Sequence, residues 1–111
     1  MSTIFGKIIR GEIPSEKVFE NERFIVIKDL YPVAPVHLLI IPKKEFSNLQ
    51  ALPKEDLPLI AEAVEIAQEM ALAFDIEDSY RFLTNNGSDS GQSIFHLHFH
   101  LIGGRPLGAL G

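Results

Sequence analysis

No cysteine occurs in this chain of 111 residues, which excludes a disulfide framework and a thiolate metal site. No apolar run is long enough to span a bilayer, and no leader-like pattern opens the chain. The expectation is a soluble, cytoplasmic protein. Basic runs are missing too, and the formal net charge is −5. That balance argues against a protein that grips nucleic-acid polymers through their phosphates. No repeat or low-complexity segment is visible. Hydrophobic residues make up 46% of the chain, ample for the core of one domain spanning residues 1–111.

What is present is concentrated in one run, Ile94-Phe95-His96-Leu97-His98-Phe99-His100-Leu101-Ile102. Side chains alternate faces along a β-strand, so a strand over 94–102 puts His96, His98 and His100 on one side. Phe95, Leu97, Phe99 and Leu101 then form a core-facing row. Three of the protein's 4 histidines lie here, which points to chemistry on that face. The fourth, His37, opens another apolar run.

The rest of the chain reads as a frame for that strand. Residues 3–10 have helix-like apolar spacing behind a Thr3 cap, with Gly11 as the stop and Ile4, Phe5 and Ile8 directed to a core. Strands are expected over 17–20, 24–29, 37–42 and 80–85. Asp29 begins a loop stiffened by Pro32 and Pro35. A long helix is expected over 55–74, with Pro58 in its first turn. Leu57, Ile60, Ala61, Val64, Ala67, Ala71 and Phe74 form its main apolar stripe, and Leu59, Ala63, Ile66 and Met70 a second. Glu62, Glu65 and Glu69 form its wet side. The loop 86–93, rich in glycine and small hydroxyls, is either a tight hairpin or a concavity presenting backbone amides to an anion. Short links between successive strands and one long helix predict an α+β domain built on an antiparallel sheet of about five strands.

Three alternate histidines allow two kinds of chemistry. Two of them, with His37, can converge on a zinc ion at about 2.0–2.1 Å. Yet the outer pair are about 13 Å apart along a strand, and no set of carboxylates stands by to orient metal ligands. Alternatively the central imidazole is a nucleophile. Its ordinary pKa of about 6.5 leaves a lone pair near neutral pH, able to attack phosphorus and hold the phosphoryl group until water removes it. Such a step needs a neighbour to fix the tautomer, donors for the non-bridging oxygens and an acid for the leaving group.

The run from Gly91 to Arg105 resembles the signature of the histidine-triad family, and most closely its Hint branch, the purine nucleoside phosphoramidases. Ile4-Phe5-Gly6-Lys7-Ile8-Ile9, Glu12-Ile13-Pro14, Asp29, Pro32, Ala34-Pro35, His37, Ile41-Pro42-Lys43-Lys44, Asn85 and Gly87-Ser88-Asp89 extend the match over nearly the whole chain. The resemblance implies a homodimer of a small α+β fold whose two sheets meet edge to edge. It also implies cleavage of the phosphorus–nitrogen bond of purine nucleoside 5′-monophosphoramidates, without metal or other cofactor. His98 would be the nucleophile, oriented by His96 and His37, with His100 and Ser93 at the phosphate and leaving group. Asn85, Gly91 and Gln92 would line the phosphate pocket, and Asp29, with Leu30 beside it, would receive the ribose hydroxyls. Ile4, Phe5, Ile8, Ile27 and Leu39 would sandwich the base. The related dinucleoside-polyphosphate hydrolases share the triad but carry glutamine at the position of Asn85 and lack Gly103-Gly104-Arg105. Some animal Hint proteins use a tail tryptophan near the partner's site, and this chain has none. The rival from another class is a nucleotide-binding regulatory module with incidental hydrolysis.

Overall fold

The computed structural model describes residues 3–111. Helix α1 (Ile4–Ile9) is followed by strands β1 (Lys17–Glu20), β2 (Phe24–Lys28) and β3 (Val36–Pro42). Then come helix α2 (Pro58–Ala73) and strands β4 (Tyr80–Leu83) and β5 (Phe99–Gly103). The strands form one five-stranded sheet in the order β1-β2-β3-β5-β4, with every neighbouring pair antiparallel. Among the described residues no helix is long and apolar enough to cross a membrane.

Both faces of the central strands are covered, which is why β2 and β3 read as continuous apolar runs. Phe24, Val26, Leu38, Ile40, Leu97, Phe99 and Leu101 pack with Ala63, Ile66, Ala67, Met70 and Ala71 of α2. On the opposite face Ile25, Ile27, Leu39 and Ile41 pack with Phe5 of α1. Thr3 caps α1 as its sequence suggests, its hydroxyl oxygen accepting the Gly6 N–H at 3.1 Å.

Several expectations need correction. Strand β5 starts only at Phe99, so His96 and His98 lie on the extended approach to the sheet, where Leu97 N–H bonds the Phe46 carbonyl instead of a ladder partner. Alternation persists through 96–101, but Phe95 drops out of the core row and is exposed. Strand β4 ends at Leu83, short of Asn85. The main stripe of α2 is only partly buried: its Ala67 and Ala71 are buried together with Ala63, Ile66 and Met70 of the second stripe, whereas its Leu57 and Val64 face outward, as does Leu72. Glu62 is no solvated bystander. Its carboxylate receives Arg23 and the Asn21 amide, tying the β1–β2 turn to the helix.

Helix α2 begins at Pro58, whose missing N–H lacks an intrahelical acceptor there anyway. It ends in a two-bond motif: Ile76 N–H reaches back to Ala71 O at 2.8 Å and Asp75 N–H to Leu72 O at 3.2 Å. Asp75 stands in the left-handed region at φ 59°, where glycine is the usual occupant.

Candidate active site

The triad, His37 and α1 meet on the sheet face away from α2. The ladder places His100 opposite Leu39 and Leu39 opposite Ile27, a row across three strands that floors a cavity of about 340 Å³. Ile4, Phe5 and Ile8 of α1 form one wall, and His98, His100 and Ser93 stand at one end. Asp29, Leu30 and Tyr31 lie on the rim loop, with Leu30 and Tyr31 strongly exposed.

Hydrogen-bond partners dictate the state of each ring, because a backbone carbonyl only accepts and an amide N–H only donates. His98 Nδ1 lies 2.7 Å from the His96 carbonyl and must carry a hydrogen. In the neutral ring Nε2 is therefore left with its lone pair, and the ring lines the cavity. His96 Nε2 donates to Pro42 O at 2.8 Å, leaving Nδ1 to accept from the Thr3 hydroxyl at 3.2 Å. His37 Nδ1 accepts the Val33 N–H at 3.1 Å. Its Nε2–H consequently points to His100 Nδ1 at 2.9 Å and Asp29 Oδ2 at 3.2 Å. His100 then accepts at Nδ1 and keeps its hydrogen on Nε2. One bare nitrogen and one N–H donor thus sit on neighbouring rings, whose centroids are 5.2 Å apart.

Electrostatics reinforce the neutral state. Burial pushes the His98 pKa below its ordinary value, against its bond to the His96 carbonyl. His100 falls to about 4, first through burial and then through repulsion from His98 and His37. His37 is lowered by burial too, with Asp29 opposing.

Of the residues singled out in the sequence, Ile4, Phe5, Ile8, Ile27, Leu39, Asp29, Leu30, Ser93, His98 and His100 border the cavity. His37 and His96 stand behind it. Asp29 has commitments of its own: Oδ1 caps the Tyr31 N–H at 2.9 Å while Oδ2 faces His37. The loop 86–93 departs from expectation. Its Ser88–Ser90 segment is a 3-10 turn, and the amides of Gly87, Ser90, Gly91 and Gln92 all bond within the loop. Those four amides do not form the anion-facing concavity that the glycines suggested. The side chain of Gln92 serves the scaffold. It is buried, and it ties Gly87 N–H, Ser47 O and Ile94 O together. Asn85 and Gly91 lie off the cavity wall and against each other, the Asn85 amide 3.5 Å from where a Gly91 Cβ would stand.

Sequence reasoning missed Thr84, whose hydroxyl donates to the His98 carbonyl at 2.7 Å, and the Val33 amide that sets the His37 tautomer. Neither carries a sequence signal, since any residue supplies a backbone amide and threonine is common in strands. Asp29, His37 and His100 present ligand atoms within 4.8 Å of one another, the spacing that a metal ion would require. Hydrogen bonds from His37 Nε2–H already account for that closeness.

The chain is similar to known proteins over most of its length. A family model described as "Scavenger mRNA decapping enzyme C-term binding" matches residues 2–107. A HIT-like protein of Chlamydia pneumoniae is 58% identical over 108 residues, covering 97% of this chain and 98% of that protein. A HIT family hydrolase from Clostridium thermocellum superposes with a TM-score of 0.93 at 40% identity, over 97% of this chain and 95% of that one. A histidine triad nucleotide-binding protein from Candida albicans superposes with a TM-score of 0.82 at 31% identity, over 97% and 85% respectively. With His98 and His100 on one cavity and His96 buried behind them, this chain belongs to the histidine-triad (HIT) family.

Proposed function

We propose that this protein hydrolyses the phosphorus–nitrogen bond of purine nucleoside 5′-monophosphoramidates through a nucleotidyl intermediate on His98. The observation that carries this reading is the bare Nε2 of His98, whose ring lines the cavity beside the ring of His100. A purely binding module has no use for an imidazole held neutral with its lone pair directed at a ligand. The cavity suits a nucleotide: two antiparallel strand spacings, about 10 Å, separate the His100 end from Ile27. That is room for a phosphate at the histidines and a flat base against Phe5 and Ile8.

In this mechanism His98 Nε2 attacks phosphorus as the P–N bond breaks. The amine leaves with a proton, for which His100 Nε2–H and the Ser93 hydroxyl are the donors on this chain. Water then displaces the imidazole, releasing nucleoside monophosphate and returning the proton. The relative from Clostridium thermocellum is named a hydrolase and the Candida albicans protein nucleotide-binding, and both descriptions fit this scheme.

The site is also proposed to occur twice in a homodimer. Strand β4 is an edge of the sheet, and Leu57, Val64 and Leu72 leave an apolar stripe exposed along the outer side of α2. A second copy joined at β4 covers both.

Mass spectrometry of protein quenched during turnover of adenosine phosphoramidate tests the chemistry. A nucleoside monophosphate on His98 is expected, and His98→Ala should lose amine release by about 10³-fold or more while still binding purine nucleotide. Normal turnover by His98→Ala refutes the proposal. Faster cleavage of diadenosine polyphosphates than of adenosine or guanosine phosphoramidate would move the protein to the other branch.

A further inference from the structure

We infer that Thr3 is a positioning residue for the nucleophile, joining the cap of helix α1 to the orientation of the reactive imidazole. The inference rests on the reading of His98 given above. Thr3 Oγ1 accepts the Gly6 N–H at 3.1 Å, as a helix cap does. Its own hydrogen is then left for His96 Nδ1, 3.2 Å away. His96 is fully buried, and Pro42 O takes its other nitrogen at 2.8 Å. Pinned at both nitrogens, this ring anchors the backbone of residue 96, whose carbonyl holds His98 Nδ1–H at 2.7 Å.

A second contact from α1 reaches the same place. The Phe5 ring meets His98 edge to face with centroids 4.9 Å apart, and His96 at 6.1 Å. One short helix therefore supplies a wall of the cavity and, through its cap and first turn, the supports of two triad rings. A ligand seated against Ile4 and Ile8 bears on the element that aims His98. Losing the Thr3 hydroxyl leaves a buried ring nitrogen without its donor and frees the ring to tilt. Such a change lowers the rate of bond making, which is sensitive to misplacement of about 1 Å, more than it lowers affinity.

Three variants separate this role from plain helix capping. Thr3→Val removes both bonds, Thr3→Ser keeps both, and Thr3→Asp keeps the cap but offers no hydrogen to His96 Nδ1. With adenosine phosphoramidate, Thr3→Val and Thr3→Asp should lower kcat about 10–100-fold with KM within about 3-fold, and Thr3→Ser should stay within about 3-fold of the parent. A Thr3→Asp variant with the parent's kcat, or losses confined to KM, overturns the inference. Long-range ¹⁵N–¹H spectra of the histidines supply a readout independent of turnover. Parent and Thr3→Ser should show His98 as the Nδ1–H tautomer alone, and Thr3→Asp a mixture. Absence of any turnover in the parent would sink the phosphoramidase reading, while unchanged His98 signals in Thr3→Asp would sink the role of Thr3.

Discussion

A hydrogen on Nδ1 of His98 leaves Nε2 as the reacting atom, and that assignment follows from one carbonyl at 2.7 Å. Because burial holds the His98 pKa below its ordinary value, kcat/KM should stay flat as pH falls through about 6.5 and decline only below it. A profile with its acid limb centred at or above that value contradicts the account. Stability should depend on pH through the same rings. Above about pH 6.5 an unfolded histidine is neutral, and so is folded His100. Between there and about 4 the unfolded chain binds a proton that folded His100 refuses. The unfolded state then holds more protons, so stability falls with falling pH across that window. His37 and His98, lowered as well, act in the same direction. Urea midpoints measured from pH 7.5 down to 4.5 should drop steadily, and less so in His100→Asn.

Among the elements, the end of α2 and the loop before the triad offer separate tests. Asp75 occupies a left-handed position at φ 59° within an otherwise regular helix stop. Asp75→Gly should raise stability by about 0.5–1 kcal/mol, the strain relieved less the entropy that glycine adds to the unfolded chain. Thermal denaturation reads this directly. Gln92 is the opposite case, a buried amide with three partners. Gln92→Ala strands polar groups of the loop and should cost about 1–3 kcal/mol, seen as an earlier urea midpoint. A substrate ligand would instead show up in KM with stability unchanged. The loop's resemblance to a phosphate cradle was legible in its glycines, but the direction of its amides was not. Four of them turn inward: the 3-10 turn at Ser88–Ser90 uses those of Ser90 and Gly91, Gly87 O takes that of Gln92, and the Gln92 side chain takes that of Gly87.

Over the whole molecule, α1 and α2 take opposite faces of one sheet, and this division decides which face does chemistry. The face under α2 is packed solid by Leu38, Ile40, Leu97, Phe99 and Leu101. The face under α1 is only half covered, since a helix of six residues leaves room beside it for the cavity. The proposed dimer belongs to this scale. Val64→Glu with Leu72→Glu should shift sedimentation from dimer to monomer, because two charges would enter an apolar interface. A parent that sediments as a monomer at micromolar concentration rules the dimer out.

Much of this was readable along the chain: strands, both helices, the Thr3 cap and the side on which three imidazoles gather all follow from local periodicity. Local patterns carry such facts because a strand repeats every two residues and a helix every 3.6, whatever lies nearby. The tautomer of His96, the anchoring of Gln92 on Ser47 O and the support from Thr84 depended on groups 14 to 93 positions apart in the chain. His98 meets a carbonyl only two residues away, yet that carbonyl is held in place by the distant partners of the His96 ring. That meeting is made by packing two layers onto one sheet, and with it the choice of the nitrogen that reacts.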